Sequence, residues 1–564
     1  MRRAVMTMLA AAAWVAAAQP ALAQVPSDAW IGTRISVVSV ELRPAPADAL
    51  AAASLEGAVR RAFAVYPGRP YDPQAIEFGL ARVRGVAGVT AASASVEFAD
   101  GAGLRLTLTI DTTPPAVPRR PGFAERLTLV GGQRLVKLRV SYKGAVALSG
   151  NQWFGNGPFI TQYNPRGQYQ GDNGPNAVLD AAPALGMAAA FPLWHGRHPV
   201  YVYGTFSYLG AASVGQDNNR SDARATSSWE EGYAGVVGGG VTASGSTWAY
   251  NVSYGMQPYC IGGGMLVCQI ASSGGDRAAD FAWPRWTGTH FLKAQFRVNA
   301  TEITGFRFEA NDMPATGTVL AGVNVDHDSG SGLSVGGTWL TALDSRSQYY
   351  LPTGPSAMSR DGLRALHLRG TVTPPPGKDG PVLKAEWARQ TNANFDMDAR
   401  GWSAEGGWSF STVRWSPSLT YRFSRTTGDD PATSRFERWD LLYSGNDINT
   451  WVQGQLMKNI QYNSNVIVHR VMARAQPRRT LRLTAQWSRY RADTANNAGG
   501  VLFAFSDRAL GDEALAVAER FLSRGVYFRA TAAALWPGRG VVLAVPEPVA
   551  RPWLVAIGQI SLAF

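Results

Sequence analysis

The last eleven residues, Leu554 to Phe564, constrain this chain more than any other stretch. Leu554, Ala556, Gly558, Ile560, Leu562 and Phe564 fall on one face of an extended segment, and Gln559 and Ser561 fall on the other with Ala563. A soluble protein gains little from ending on an apolar strand with a bare aromatic terminus. A closed transmembrane β-barrel needs one, because its last strand faces lipid on one side and lumen on the other and pairs with the first strand. Ile560, Leu562 and Phe564 are then expected to form the C-terminal signal read by the barrel-assembly machinery. The competing reading is an edge strand of a soluble sandwich.

Composition favours the barrel. Charged residues make up only 17% of the 564, against 18 tryptophans and 19 tyrosines. No apolar run of about 18 residues follows the N-terminus, so no transmembrane helix is expected. The start reads as a secretory signal over residues 1–23. Arg2 and Arg3 precede an apolar core, Leu9 to Ala18, and Ala21-Leu22-Ala23 is a cleavage site. Without Arg2 and Arg3 the formal charge of +12 falls to about +10.

Residues 30–112 read as a small α+β domain. Arg34 to Arg43 alternates as a strand. Ser54 can cap a short helix with Leu55, Ala58, Val59, Ala62 and Phe63 on one face. Asp72 and Pro73 open a second helix, whose stripe is Ile76, Leu80 and Val83. Val89 to Phe98 and Leu104 to Ile110 are strands joined at Asp100-Gly101. Pro114, Pro115, Pro118 and Pro121 make residues 113–126 a stiff linker.

From residue 127 to 564 the chain alternates in stretches of about ten residues, with short turns and long polar loops in turn, the rhythm of outer-membrane strands. Short turns are expected near residues 195–198, 243–245, 299–302, 326–330, 375–380, 413–417, 477–478 and 523–525. Long loops are expected at 150–177, 216–228, 259–287, 342–362, 427–462 and 493–509. The count is about 18 strands, with both ends periplasmic.

Each strand's apolar set is assigned to lipid and its polar set to the lumen, since a charge at the membrane midplane costs about 2–4 kcal/mol. That places Lys137, Arg139, Lys143, Lys293, Arg297, Arg307, Arg369, Lys384, Arg422, Arg482 and Arg529 inward, with Glu309, Glu386 and Glu405 as the clearest inward acids. Rings of basic groups in a pore favour anions. Cys260 and Cys268 are the only cysteines and are expected to close a local disulfide. No serine-hydrolase, zinc-protease or phosphate-loop motif is present, so no enzyme activity, cofactor, metal or nucleic-acid partner is expected. Asp326-His327-Asp328 reads as a polar turn rather than a metal site, and Asp429, Asp430, Asp440 and Asp447 form at best a weak Ca²⁺ set.

Two resemblances add to this reading. Tyr421 to Gly445, with its Gly-Asp-Asp-Pro loop and Phe436-Glu437-Arg438-Trp439-Asp440, resembles the alginate-export family of outer-membrane barrels. So do Trp451, Gln453, Gly454, Asn463-Ser464-Asn465, Ala509 to Glu513 and Trp536-Pro537-Gly538. The resemblance covers roughly residues 415–564 and implies an 18-stranded barrel passing an anionic polysaccharide. The β-α-α-β-β order of residues 30–112, with Pro67-Gly68-Arg69-Pro70-Tyr71-Asp72 before its second helix, resembles a polypeptide-transport-associated (POTRA) domain. That implies a periplasmic client or export partner.

The sequence thus predicts a transmembrane antiparallel β-barrel in the cell outer membrane, in contact with its lipid and carrying a small N-terminal α+β periplasmic domain. The expected function is export of an anionic, alginate-like exopolysaccharide. Two other readings stand beside it. One is a two-partner-secretion-type polypeptide translocator, against which Arg524-Gly525-Val526-Tyr527 lacks the aromatic directly after glycine. The other is a passive anion-selective porin.

Overall fold

In the computed structural model, residue 30 and residues 33–564 are described, apart from 100–102, 114–122, 152–174, 195–197, 218–221, 269, 271–277, 283–286, 313–314, 352–353, 446–450, 452–453, 496–504, 524 and 545–551. The expected signal segment, the turn at Asp100-Gly101, most of the proline-rich linker and Asp447 lie outside the described residues.

The N-terminal domain has the expected element order: β1 (Ile35–Arg43), α1 (Ala49–Phe63), α2 (Pro73–Val83), β2 (Ala91–Phe98) and β3 (Leu104–Asp111). The sheet runs β1-β3-β2, with β1 parallel to β3 and β2 antiparallel to it. Asp72 caps α2 by accepting from the N–H groups of Gln74 (2.9 Å) and Ala75 (3.1 Å), with Pro73 at the first helical position. Helix α1 corrects the expected start. It begins at Ala49, capped by Asp48, which accepts from the Leu50 N–H at 3.0 Å. Ser54 is therefore interior, because Asp48 supplies an equally good cap and the alanines after it favour helix.

The rest is an 18-strand antiparallel barrel. Its first six strands are β4 (Leu135–Gly150), β5 (Asn176–Trp194), β6 (Val200–Gly215), β7 (Arg224–Val241), β8 (Thr247–Pro258) and β9 (Thr287–Val298). The next six are β10 (Thr301–Ala310), β11 (Val319–Asp328), β12 (Leu333–Asp344), β13 (Leu363–Val372), β14 (Gly380–Asn392) and β15 (Ala399–Ser409). The last six are β16 (Ser418–Thr426), β17 (Val466–Arg478), β18 (Leu481–Ala492), β19 (Ala509–Ser523), β20 (Val526–Pro537) and β21 (Trp553–Ala563). The expected short turns lie at or beside the connections at one end, although residues 301–302, 326–328 and 477–478 belong to strands there, and the long connections fall at the other end.

The barrel closes by β21 on β4, in register from Leu554 opposite Gly150 to Ala563 opposite Ser141. Phe564 completes the seam: its N–H donates to the Val140 carbonyl at 2.9 Å, and its carbonyl accepts from the Val140 N–H at 3.2 Å. Closure leaves no unpaired edge, which is the condition for crossing hydrocarbon with strands. The outward face carries Leu185, Phe206, Tyr254, Leu292, Val323 and Trp339, all exposed. In water such a surface would drive aggregation; in lipid it is the expected face.

Candidate functional site

The lumen is filled from both ends. At the turn end the N-terminal domain is seated across the mouth. Helix α2 is its deepest element, with Gln74, Ile76, Phe78, Leu80 and Ala81 buried. Glu77 on α2 accepts from the Lys137 Nζ at 2.9 Å, and Phe78 meets Tyr203 of β6 with ring centroids 4.7 Å apart. On another side Arg69 pairs with Glu302 (Nε to Oε2 2.8 Å), Arg297 lies 4.2 Å from the Tyr66 ring, and Arg34 pairs with Asp328. On a third, Trp30 packs on Phe98, Phe521 and Tyr527, with the Arg482 guanidinium 5.2 Å away. Arg482 is fixed there by donating to Glu519 at 2.9 Å. The hydrophobic core of the domain runs without a break into Phe521 and Tyr527 of the barrel.

At the loop end, the connection after β8 folds inward. Cys260 and Cys268 are disulfide-bonded as the sequence predicts. They hold a loop in which Ile261, Met265, Leu266 and Val267 have no exposed surface. Its tip reaches the barrel wall at Gly262, whose φ of +54° and whose closeness to the Arg369 side chain leave no room for a Cβ. The connection after β16 folds beside it: the Cys268 N–H donates to the Tyr443 carbonyl (2.8 Å), and the Tyr443 N–H donates to Leu266 (3.0 Å).

Between domain and loop lies a chamber of about 500 Å³. Eight basic side chains line it (Arg34, Arg69, Arg105, Lys293, Arg297, Arg369, Lys384 and Arg474) against six carboxylates (Asp72, Glu302, Asp326, Asp328, Glu386 and Glu405). The wall above it is ordered in rungs. Lys384, Glu405, Arg422 and Arg470 are successive cross-strand partners on β14 to β17. Glu405 accepts from Lys384 (3.2 Å) and Arg470 (3.1 Å), and Arg422 lies 4.4 Å from the Trp451 ring. One carboxylate therefore serves three cations on a single level, and the local potential is positive.

Ten of the eleven basic residues expected inward do face inward. Lys137, Arg139, Arg297 and Arg482 grip the N-terminal domain or the wall beside it, where Arg139 donates to Thr205 and Glu231 at 2.7 Å. Lys293, Arg369 and Lys384 line the chamber, Arg422 stands in the rung, and Lys143 and Arg529 face the lumen elsewhere. Arg307 is the exception, and Glu309 goes with it. Both face outward, because on β10 the inward positions are Phe306 and Phe308. These pack against Tyr259 and Phe291 under the inward loop, so apolar residues face the lumen there.

Arg470 and Arg474 were missed by sequence reasoning. They alternate with Val471 and Ala473 on β17, but the same inward row carries Val466 and Val468, which hides its polarity. Asp326 and Asp328, which flank His327 in the string read as a polar turn rather than a metal site, pair with Arg369 and Arg34 at the end of β11. Asp440 pairs with Arg360 at 2.8 Å, and Asp429 accepts from the Glu437 N–H.

No protein-family model matches the chain, and no curated protein matches it. Solved barrels to which it is similar include outer membrane protein OprD of Pseudomonas aeruginosa, with a TM-score of 0.47, 10% identity, and coverage of 76% of this chain and 93% of that one. OccK5 (OpdH) of the same organism gives a TM-score of 0.45 at 9% identity, covering 76% of this chain and 98% of that one. OpdK gives 0.43 at 10% identity with the same coverages as OccK5.

These findings correct both resemblances. The alginate-export likeness of residues 415–564 is matched by no family model, and solved barrels similar to this chain include OprD and Occ proteins. The residues that carried it have a local explanation. Trp439 and Asp440 are buried beneath the inward loops, where they hold those loops in the lumen. The POTRA likeness is likewise unsupported by any family model. The β-α-α-β-β order is present, but the domain is seated in the mouth. Its β2 strand ends against the barrel, where the Phe98 N–H donates to the Arg479 carbonyl at 3.0 Å and the Phe98 carbonyl accepts from Gln476 at 2.9 Å.

Proposed function

We propose that this chain is an outer-membrane channel of porin type, selective for small anionic solutes and closed at its periplasmic mouth by its own N-terminal domain. The observation that carries the reading is the chamber, with its eight basic groups against six acidic ones beside the Lys384–Glu405–Arg422–Arg470 rung. Ordered cations in a confined lumen raise the local concentration of anions and lower the barrier to their passage. A small solute fits such a space.

Replacing Lys293, Lys384 and Arg474 together by Gln tests this. In planar bilayers under a KCl gradient, the chloride-over-potassium permeability ratio of the open channel should fall by roughly threefold or more, as expected when charged rings set selectivity. An unchanged reversal potential would remove anion selectivity from the reading.

A further inference from the structure

Among the described residues, the outward-facing arginines on the strands at the loop end of the barrel cluster on one arc. Arg364 on β13, Arg389 on β14, Arg400 on β15, Arg425 on β16, and Arg489 and Arg491 on β18 all sit on the lipid-facing side of their strands. Across the barrel, the corresponding positions on β6 and β8 are Tyr208, Val214 and Tyr254. Directly below the arginines lie the outward aromatics Trp387, Trp402, Tyr421 and Trp487. Such aromatics mark the boundary of the hydrocarbon layer, so the arginines stand at headgroup depth.

These are not ordinary surface charges. Arg389 and Arg400 are direct cross-strand partners, an arrangement that is unfavourable for like charges unless anions cover them. Asp398 takes part of this role, accepting from Arg389 Nε at 2.8 Å and from Arg400 Nη2 at 2.9 Å. Arg425 is similarly oriented by Asp493, and Arg435 by Asp396. The forks are aimed but not saturated. Arg389 and Arg435 use only Nε in these bonds, and Arg389, Arg400, Arg425 and Arg435 remain 45–57% exposed. Each guanidinium has five N–H donors, so several remain for a further acceptor. Between the arginines and the tryptophans is an open groove of about 1100 Å³, walled by Arg400, Arg425 and Arg435 interleaved with Asp398, Glu437 and Asp493, with Trp387 and Trp402 along its apolar side.

We propose that this groove binds the phosphorylated sugar headgroup of an outer-leaflet lipid, with the phosphates on Arg400 and Arg425, reached also by Arg389 as the cross-strand partner of Arg400, and the acyl chains against Trp387 and Trp402. Planar guanidinium forks match phosphate oxygens two at a time, and the aromatic side suits the chains of the same molecule. A free anion would use the arginines and leave the apolar side bare. The inference rests on the outer-membrane placement proposed above but not on conduction.

The test uses the purified full-length barrel and purified lipopolysaccharide. Native mass spectrometry should count bound lipopolysaccharide on the parent chain. Arg389→Gln/Arg400→Gln/Arg425→Gln should lower its affinity by roughly tenfold or more, the loss expected for charge-assisted bonds. The Arg→Lys version of the same triple keeps the charge and should recover only part of the binding. Arg307→Gln, outward on another arc, should leave binding unchanged. Heat-modifiable gel mobility reports that each variant is folded. Equal lipopolysaccharide binding by the Gln triple would overturn the proposal. So would inorganic phosphate displacing the lipid completely at millimolar concentration, which would mark a generic anion site. A channel that fails the selectivity test and still binds lipopolysaccharide through these arginines would refute the function proposed above and leave this site standing.

Discussion

Reversing the charge of Arg34 and Arg69 together, as Arg34→Glu/Arg69→Glu, should turn a mostly closed barrel into one that conducts most of the time. In the docked state these residues face Asp328 and Glu302, and all four side chains are at most about one-third exposed. Breaking one partially desolvated pair costs a few kcal/mol, and placing two carboxylates face to face adds repulsion. Two such sites shift the docking equilibrium by roughly three orders of magnitude or more. The hydrophobic seat at Trp30, Phe521 and Tyr527 is untouched, so the domain should loosen without unfolding. Single-channel open probability in planar bilayers is the readout. Adding Glu302→Arg and Asp328→Arg should restore closure, because the pairs re-form with their polarity exchanged. If the reversed variant stays as quiet as the parent, the domain does not gate the pore.

Strong acid should push in the same direction through Glu77. Burial alone would raise this carboxyl, but the Lys137 ammonium together with Arg84 and Arg139 more than reverses that and holds it below the ordinary carboxylate range. A depressed carboxyl stabilises the docked state at and above its undocked pKa, and that contribution is lost as pH falls through the lower docked value. Open probability should therefore rise only below about pH 4 and stay flat from there to neutrality. In a Glu77→Gln variant this rise should shrink, leaving the part that the Asp328 and Glu302 pairs contribute.

The barrel was legible because alternation has a period of two and each turn has its own chemistry. Leu481, Leu483, Ala485 and Trp487 face lipid as their spacing predicts, and Arg482 faces inward. What alternation cannot supply is which face is the lumen when the lumen is itself packed with protein. On β10 the inward Phe306 and Phe308 are apolar because the disulfide loop covers them, so Arg307 was assigned to the wrong side. Inward Val466 and Val468 obscured Arg470 and Arg474 in the same way. The seating of the N-terminal domain was not legible either. Arg69 and Glu302 are 233 residues apart, and nothing local in either segment announces the other. The string around Trp439 and Asp440 stood out in sequence for a real reason, but that reason is burial inside this barrel.

Asp440→Ala should release the inward loops and widen the pore from the extracellular side. The carboxylate is 5% exposed and accepts four hydrogen bonds: from Arg360 Nε and Nη2 (both 2.8 Å), from the Tyr349 hydroxyl (2.7 Å) and from the Leu442 N–H (2.8 Å). Its removal leaves the Arg360 guanidinium, only 12% exposed, without its partner, a loss of roughly 3–5 kcal/mol. That cost falls on the segment around Tyr443, whose backbone bonds to Leu266 and Cys268 tie it to the disulfide loop. The barrel strands keep their ladders, so the loss should appear as local opening rather than global unfolding. Two readouts follow: higher single-channel conductance, and new tryptic cleavage at Arg435 or Arg438 in barrels that still show heat-modifiable mobility. Asp440→Asn, which keeps the shape and part of the hydrogen bonding, should fall between parent and Ala. Adding Arg360→Met to Asp440→Ala removes the orphaned charge and should recover part of the closure, so the two changes together should cost less than their sum. An Asp440→Ala channel with parental conductance and no new cleavage would mean that the disulfide and the aromatic packing of Phe436 on Tyr349 hold the constriction without the ion pair.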